Sequence, residues 1–287
     1  MDRSLRLPRA FISRWPFPGR YLAADWLGRL AATRSPAIMG KIQEYEVEFD
    51  LRDELQRQMY FGLFNPQLVR VLKATLGPRD VFYDVGANVG YFTLIASQLV
   101  GMNGQVHAFE PVPANLARIK SNLDRNEITN VSLNLCAVSN APGELTLYLA
   151  KEPSNSGWAS VVPSERRPDK LTVETLSLDD YVFGSGRRIP ALIKMDIEGA
   201  EPMALAGMTR LMAHDHAPNL IVEINPYLLA REGLTAKAIT DPLLDAGYRV
   251  GRIERSRITR ISPNHRFVQL TDILASKRGL AELVSDS

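Results

Sequence analysis

The sequence predicts an α/β fold: a Rossmann-like, doubly wound, mostly parallel seven-stranded sheet with an antiparallel edge and an N-terminal helical arm. Three observations predict it. The chain has 287 residues, enough for one large domain with an appendage. From about residue 44 short apolar runs alternate with helical segments, as in a parallel sheet covered on both faces. The last two apolar runs follow each other without a helix between them, which makes an antiparallel edge.

Composition narrows the class. Apolar residues are 45% and charged residues 23%, values of a globular protein with a sizeable core. A net charge of +2 gives no reason to expect a nucleic-acid partner. The single cysteine, Cys136, excludes an internal disulfide and a multi-cysteine zinc site. No apolar run approaches the roughly 18 residues of a spanning helix. The opening "MDRSLRLPRAFISRWPFPGRYLA" interrupts each apolar patch with Arg or Pro, unlike a secretory signal. The expected location is cytoplasmic, with peripheral membrane contact as the second reading.

Residues 1–43 form the arm, rich in arginine and aromatic residues. Within it "YLAADWLGRLAATR" places Leu22, Trp26, Leu27 and Leu30 at helical spacing. That face either packs on the core or meets a membrane surface or partner subunit. The domain proper runs over 44–275, followed by a tail at 276–287. It opens with a strand and helix in "YEVEFDLRDELQRQMYFGLFNP", then the helix "PQLVRVLKATLG" between Pro66 and Gly77. Strands follow at "DVFYDVG", "QVHAFEP", "VSLNLCAVS", "LIKMDIE" and "NLIVEIN", each but the third leading into a helix; "YRVGRIE" and "RFVQLTDILAS" close the sheet. After the third strand "ELTLYL" and "LTVETL" read as short extra strands. Between them 150–170, rich in Ser, Pro and Gly, reads as a mobile, lid-like insertion. Its Trp158 either stacks on a sugar face or anchors the loop.

In a doubly wound sheet, ligands bind at the carboxyl ends of the strands. The first of these ends in "YDVGANVGYF": Asp84, then Gly86 and Gly90 before a helix. This is not the Gly-x-Gly-x-x-Gly of a dinucleotide site. A pyrophosphate wants bare N–H groups at a helix start, and an acid there repels it. An acid suits a sulfonium or ammonium, so Asp84 favours S-adenosylmethionine over NAD; its other reading is a turn cap. Glu110 ends the next strand 20 positions after Gly90, a distance at which an acid accepts ribose hydroxyls; alternatively it caps the following helix. The small loop "LCAVSN" can wall an adenine ring.

The blocks "DVGANVGYFTL", "AFEPVP", "LDDY" and "IKMDIEGAE" resemble the signature blocks of FkbM-type methyltransferases, class I S-adenosylmethionine-dependent enzymes, over roughly residues 80–225. The resemblance implies that Asp84, Gly86, Asn88 and Gly90, with Ala87 in the same turn, cradle the methionine part of the cofactor. It implies that Glu110, beside Pro111, takes the ribose hydroxyls and that Ala137 and Val138 flank the adenine. It also implies an acceptor hydroxyl on a sugar or natural product.

"LIKMDIEGAEP" sets Asp196, Glu198 and Glu201 where the fourth strand surfaces, next to the first across the switch point. Asp196, then Glu198, and Glu223 at the end of "LIVEIN", are the candidates for a general base that takes a hydroxyl proton; Asp196 also borders the cofactor. A metal is not favoured; Asp196 with Glu198 or Glu223 is the set that would hold Mg²⁺ if one binds. Glu201, before Pro202, reads as a helix start. Lys194, on the same strand face as Asp196, is expected to pair with a neighbouring acid or to meet the substrate, and Tyr227, in the loop after Asn225, is expected against the substrate. The expected partner is a small-molecule or saccharide acceptor and no nucleic acid, with an oligomer left open. The rivals are an NAD(P)-dependent oxidoreductase, which lacks its third glycine and a Tyr-x-x-x-Lys, and a non-catalytic cofactor-binding protein.

Overall fold

A computed structural model of the chain describes residues 5–150, 159–163, 165 and 168–279. Helices α1 (Arg6–Arg14) and α2 (Arg20–Ala32) precede an antiparallel hairpin of β1 (Ala37–Ile42) and β2 (Tyr45–Asp50). Helices α3 (Glu54–Tyr60) and α4 (Pro66–Thr75) follow. Asp53 caps α3 by accepting from Gln56 N, and Pro66 opens α4 where its missing N–H costs nothing. The hairpin crosses residue 43, the boundary the sequence suggests between arm and domain.

Of the arm's apolar stripe only Leu27 packs on the core. On α2, Leu22, Trp26 and Leu30 are exposed, whereas Ala24 and Gly28 are buried. The reason is Arg57 on α3. Its buried guanidinium donates to Leu51 O and Arg52 O, both at 2.8 Å, and pairs with Asp25 of α2 at 2.7 Å. A β-carbon on Gly28 would come within 2.5 Å of Arg57 Cδ, so small residues of α2 must meet that side chain.

The main sheet is built from β3 (Val81–Val85), β4 (Gln105–Phe109), β5 (Val131–Asn134), β10 (Leu192–Met195), β11 (Asn219–Ile224), β12 (Arg249–Ile253), β13 (Ile258–Arg260) and β14 (Thr271–Ser276). A second sheet holds β6 (Ala137–Val138), β7 (Gly143–Leu149), β8 (Ala159–Ser160) and β9 (Asp169–Leu176). The main order is β13-β12-β14-β11-β10-β3-β4-β5. Strands β5, β4, β3, β10 and β11 are parallel; β14 is antiparallel to both β11 and β12. This is the doubly wound sheet with an antiparallel edge, and its chain order reverses between β3 and β10. The count is eight strands rather than seven. The extra one, β13, is a three-residue edge strand paired with β12, too short and too charged in "ERSRITR" to signal itself.

Helices α5 (Tyr91–Val100) and α6 (Pro113–Arg125) follow β3 and β4; α7 (Leu178–Phe183), α8 (Glu201–Ala206), α9 (Thr209–Ala213), α10 (Pro226–Arg231) and α11 (Lys237–Asp245) complete the chain order. The expected helix "PMALAGMTRLMA" is broken at Gly207 and Met208 into α8 and α9. The expected strand over 131–139 is split between the two sheets as β5 and β6.

Every residue of β3 and β10 is buried. Alternation sends Val81, Tyr83, Val85, Ile193 and Met195 into one core and Phe82 and Leu192 into the other. Each such large side chain contributes about 1.5–3 kcal/mol through burial. The Phe82 face also carries a polar row, because Asp84 is in register with Lys194, and Glu223 with Asp272. That row lies under the functional site.

Candidate active site

The turn after β3 is fixed by backbone conformation. Gly86, Asn88 and Gly90 have φ of +78°, +52° and +87°, the left-handed region that glycine enters without penalty. A β-carbon on Gly86 would lie 1.9 Å from the carbonyl oxygen of Asp196, so only glycine lets the two strand ends touch. The turn's N–H groups are already used. Gly86 N and Ala87 N donate to Phe109 O at 3.0 and 3.1 Å, and Gly90 N to Ala87 O at 2.8 Å. Asn88 N donates to Glu110 Oε2 at 2.8 Å. This turn therefore has few free donors for a pyrophosphate.

Glu110 is buried at the end of β4. Its Oε1 accepts from Val112 N at 3.0 Å and Asn115 Nδ2 at 3.3 Å. Burial pushes its pKa up to about 7, against the pull of Val112 N, Asn88 N and Asn115. A carboxylate so placed gains from further donors, which two vicinal hydroxyls supply.

Under the turn, Asp84 Oδ2 accepts from Thr93 Oγ1 at 2.6 Å. Lys194 Nζ donates to Gly86 O at 3.0 Å and lies 3.6 Å from Asp84 Oδ1 and 3.5 Å from Asp196 Oδ2. Burial opposes the lysine's charge, yet Asp196, Asp84 and Glu223 hold its pKa above the usual value. Asp84 and Lys194 are 0% and 3% exposed.

At the end of β10, Glu198 takes a left-handed φ of +53°, followed by Gly199 at +105°. Glu201 holds this turn: its Oε1 accepts from Ile197 N at 2.9 Å and its Oε2 from Gly199 N at 3.0 Å. Burial, foremost, raises the Glu201 pKa to about 7. The turn brings carboxylate oxygens of Asp196, Glu198 and Glu223 within 4.8 Å of one another. Burial, then repulsion from Asp196, Glu198, Glu201 and Asp272, raises Glu223 well above its ordinary pKa.

The glycine turn, Glu110 and the end of β10 open on one cleft. Gly86, Ala87, Asn88, Glu110 and Pro111 line it together with Ala137, Val138, Asp196 and Glu198. Sequence reasoning missed several walls. Asn115 was signalled only as a polar residue in the first turn after the Glu110 acid. Tyr91 and Phe92 come from α5, Leu55 and Met59 from α3, and Leu145, Leu147 and Val161 from the second sheet and its adjoining loop. Burial raises the Tyr91 hydroxyl to about 12.

Two expected contacts, Asp84 and Tyr227, lie outside the cleft wall, and Lys194 borders it with its charge engaged. Asp84 does not line the cleft, because alternation turns its side chain under the sheet toward Lys194. Lys194 borders the cleft, but its ammonium is committed to Gly86, Asp84 and Asp196 rather than to a substrate. Tyr227 is 68% exposed on α10 and is not part of the cleft wall. Trp158, with most of the expected 150–170 insertion, lies outside the described residues.

A doubly wound sheet with β14 inserted antiparallel between β11 and β12, and a strand-end cleft beside a single glycine turn, defines a class I S-adenosylmethionine-dependent methyltransferase. The Methyltransferase FkbM domain matches residues 84–250, more than half of the chain, and the chain belongs to that family. It is similar to the hexuronic acid methyltransferase AglP of Haloferax volcanii, 28% identical over 224 residues that cover 77% of this chain and 86% of that one. It is also 28% identical over 217 residues to the 31-O-demethyl-FK506 methyltransferase FkbM of Streptomyces tacrolimicus, covering 63% of this chain and 82% of that one. The 2-O-methyltransferase NoeI of Sinorhizobium fredii is 29% identical over 157 residues, 49% of this chain and 61% of that one. The cofactor is S-adenosylmethionine, and the NAD(P) reading is set aside. Among the described residues no helix is long and apolar enough to cross a membrane.

Proposed function

We propose that the chain methylates a hydroxyl oxygen of a saccharide or glycosylated natural product. The observation that carries this reading is the shared cleft: the glycine turn and Glu110 line one part of it, and the acids Asp196 and Glu198 line another. The names of the similar proteins, a hexuronic acid methyltransferase and a 2-O-methyltransferase among them, point the same way.

In this reading, Gly86, Ala87, Asn88 and Gly90 shape the seat for the methionine part. Glu110, beside Pro111, accepts the ribose hydroxyls, and Ala137 and Val138 flank the adenine. The bound cofactor supplies a methyl group on a positively charged sulfur. Asp84 and Lys194 act from below, by holding the carbonyl of Gly86 and with it the pitch of the turn. Asp196, half-buried and beside that turn, takes the proton of the acceptor hydroxyl, with Glu198 as the second candidate. General-base help of this kind is worth roughly 10²–10⁴-fold. Holding the acceptor in line contributes up to about 7–11 kcal/mol at the ideal limit. The apolar walls from α3, α5 and the second sheet exclude water from the reacting atoms.

The test is calorimetric titration with S-adenosylmethionine and S-adenosylhomocysteine, followed by mass spectrometry of a hydroxyl-rich acceptor panel that includes hexuronic acids. Binding that is lost in Glu110→Ala, with a product 14 mass units heavier than one acceptor (one CH₂, about 14 Da), is the expected result. Absence of binding to either cofactor form would sink the proposal.

A further inference from the structure

The acids at the ends of β10 and β11 are more numerous than proton transfer requires. Asp196, Glu198 and Glu223 each offer an oxygen within 4.8 Å of the others. Around Mg²⁺, with oxygens at about 2.0–2.1 Å, opposite ligands stand about 4.0–4.2 Å apart, so side-chain shifts of a few tenths of an ångström bring three oxygens that already lie within 4.8 Å into one coordination sphere. Lys194 lies near Asp84 and Asp196, and its hydrogen bond goes to Gly86 O.

A separate observation singles out Glu223. It is 8% exposed, and its Oε2 is buried with no hydrogen-bond partner. A buried carboxylate oxygen in that state costs several kcal/mol unless something compensates it. Its register partner across the β11–β14 pair makes matters worse, because Glu223 stands directly opposite Asp272. Like charges in opposed positions on one sheet face repel. A third feature fixes Glu198 in the cluster. The residue holds a left-handed backbone, and Glu201 clamps the amides on either side of it.

We propose that Asp196, Glu198 and Glu223 form a binding site for one hard divalent cation, such as Mg²⁺ or Mn²⁺, at the acidic end of the cleft. This inference rests on the reading of the cleft as a methyl-transfer site and deepens it. Three protein oxygens leave about three positions of a six-coordinate shell open. Asp196 and Glu198 line the cleft while Glu223 does not, so the open positions face the acceptor. The acceptor class that suits them has two adjacent oxygens, a vicinal diol or a hydroxy acid. An acceptor hydroxyl on the cation gives up its proton more readily, which eases the demand on Asp196. The proton leaves to solvent, Asp196 then serving as a ligand, and no redox step is involved.

The experiment uses the full chain stripped with EDTA and titrated with Mn²⁺, following the loss of the free-ion electron paramagnetic resonance signal, with and without S-adenosylhomocysteine. One Mn²⁺ per chain, displaced by Mg²⁺, is expected. Glu223→Gln and Asp196→Asn are expected to weaken it at least about tenfold, while Glu254→Gln, a surface acid, leaves it unchanged. Circular dichroism and S-adenosylhomocysteine titration of each variant separate lost ligation from lost folding. Failure of the stripped protein to bind Mn²⁺ at millimolar concentration, while it still binds S-adenosylhomocysteine, overturns the cation site and leaves the methyl-transfer reading standing. Mn²⁺ binding that is unchanged in a folded Glu223→Gln overturns it equally. Failure to bind S-adenosylhomocysteine at all is the separate outcome that strikes the methyl-transfer reading.

Discussion

Gly86 and Asp196 meet backbone to backbone: a β-carbon on the first would sit 1.9 Å from the carbonyl oxygen of the second. The first strand's turn and the fourth strand's acidic end are therefore one mechanical unit. Gly86→Ala forces a left-handed alanine, about 1–2 kcal/mol by itself, and pushes Asp196 away from the cleft. We expect a loss of S-adenosylhomocysteine binding by calorimetry together with a lowered urea midpoint. Gly19→Ala is the control. Its φ of +81° and ψ of +6° are left-handed, but nothing lies within 4 Å of the added carbon, so it carries left-handed strain without the loss of binding. Equal binding by Gly86→Ala and the unaltered chain would contradict this account.

Lys194→Met tests the buried strut. Removing the ammonium leaves Asp84 Oδ1, already without a hydrogen bond, buried next to no cation. Breaking one side of a buried ion pair costs about 3–5 kcal/mol. Asp84→Asn combined with Lys194→Met is expected to cost less than the sum of the two, because the second change removes the stranded charge. Urea unfolding of the four-member cycle measures this, and simple additivity would argue against the pairing.

Glu110 gives a pH dependence with a defined sign. Its folded pKa is raised from 4.5 to about 7, so the folded state keeps the proton longer than the unfolded one. Its contribution to stability is therefore greatest at low pH and declines as pH rises from about 4.5 to 7. Cofactor binding runs the other way, since ribose hydroxyls donate to the ionised form. Affinity for S-adenosylhomocysteine is expected to tighten roughly tenfold from pH 6 to pH 8, with proton release on binding. Calorimetry in buffers of different ionisation enthalpy reads that proton, and Glu110→Gln should flatten the profile. An unaltered profile in the variant would assign the proton elsewhere.

Asp196 and Glu201 share one short turn but not one task. Glu201→Gln turns an amide donor toward a backbone N–H, either that of Ile197 or that of Gly199. A buried unsatisfied group costs about 1–3 kcal/mol, so the loss should show in the melting temperature. Asp196→Asn should instead lower kcat by roughly 10²–10⁴-fold with little change in cofactor affinity. Observing the opposite ranking would exchange their roles.

What the sequence made legible was local. "VFYDV" and "LIKM" are apolar runs of strand length bounded by turn residues, so β3 and β10 follow from pattern alone. Gly86, Asn88 and Glu110 sit within one strand–turn–helix–strand stretch, and their meeting needs little beyond that connection. What stayed hidden depends on register between distant segments. Asp84 reads as a strand-end acid until its partner across the sheet is Lys194, far along the chain. Leu22, Trp26 and Leu30 define a helix face, but which way it points is decided by Arg57 pressing on Gly28. The wall formed by Leu145, Leu147 and Val161 comes from a second sheet and the residue after β8, where β7 and β9 were legible as strands and β8 and the sheet's position were not.

The place of β14 bears on how the chain assembles during synthesis. β12 reaches the main sheet only through β14, which pairs with β11 on its other side. The stretch that matches the family, 84–250, stops short of this strand. Until Thr271–Ser276 has been made, β11 carries an unpaired edge beside Glu223, a ready template for wrong pairing. Vectorial growth of the chain thus leaves the acidic end of the cleft unfinished until the strand written last slides between two already waiting, and a ribosome paused before residue 271 would hold a half-sheet with sticky flanks.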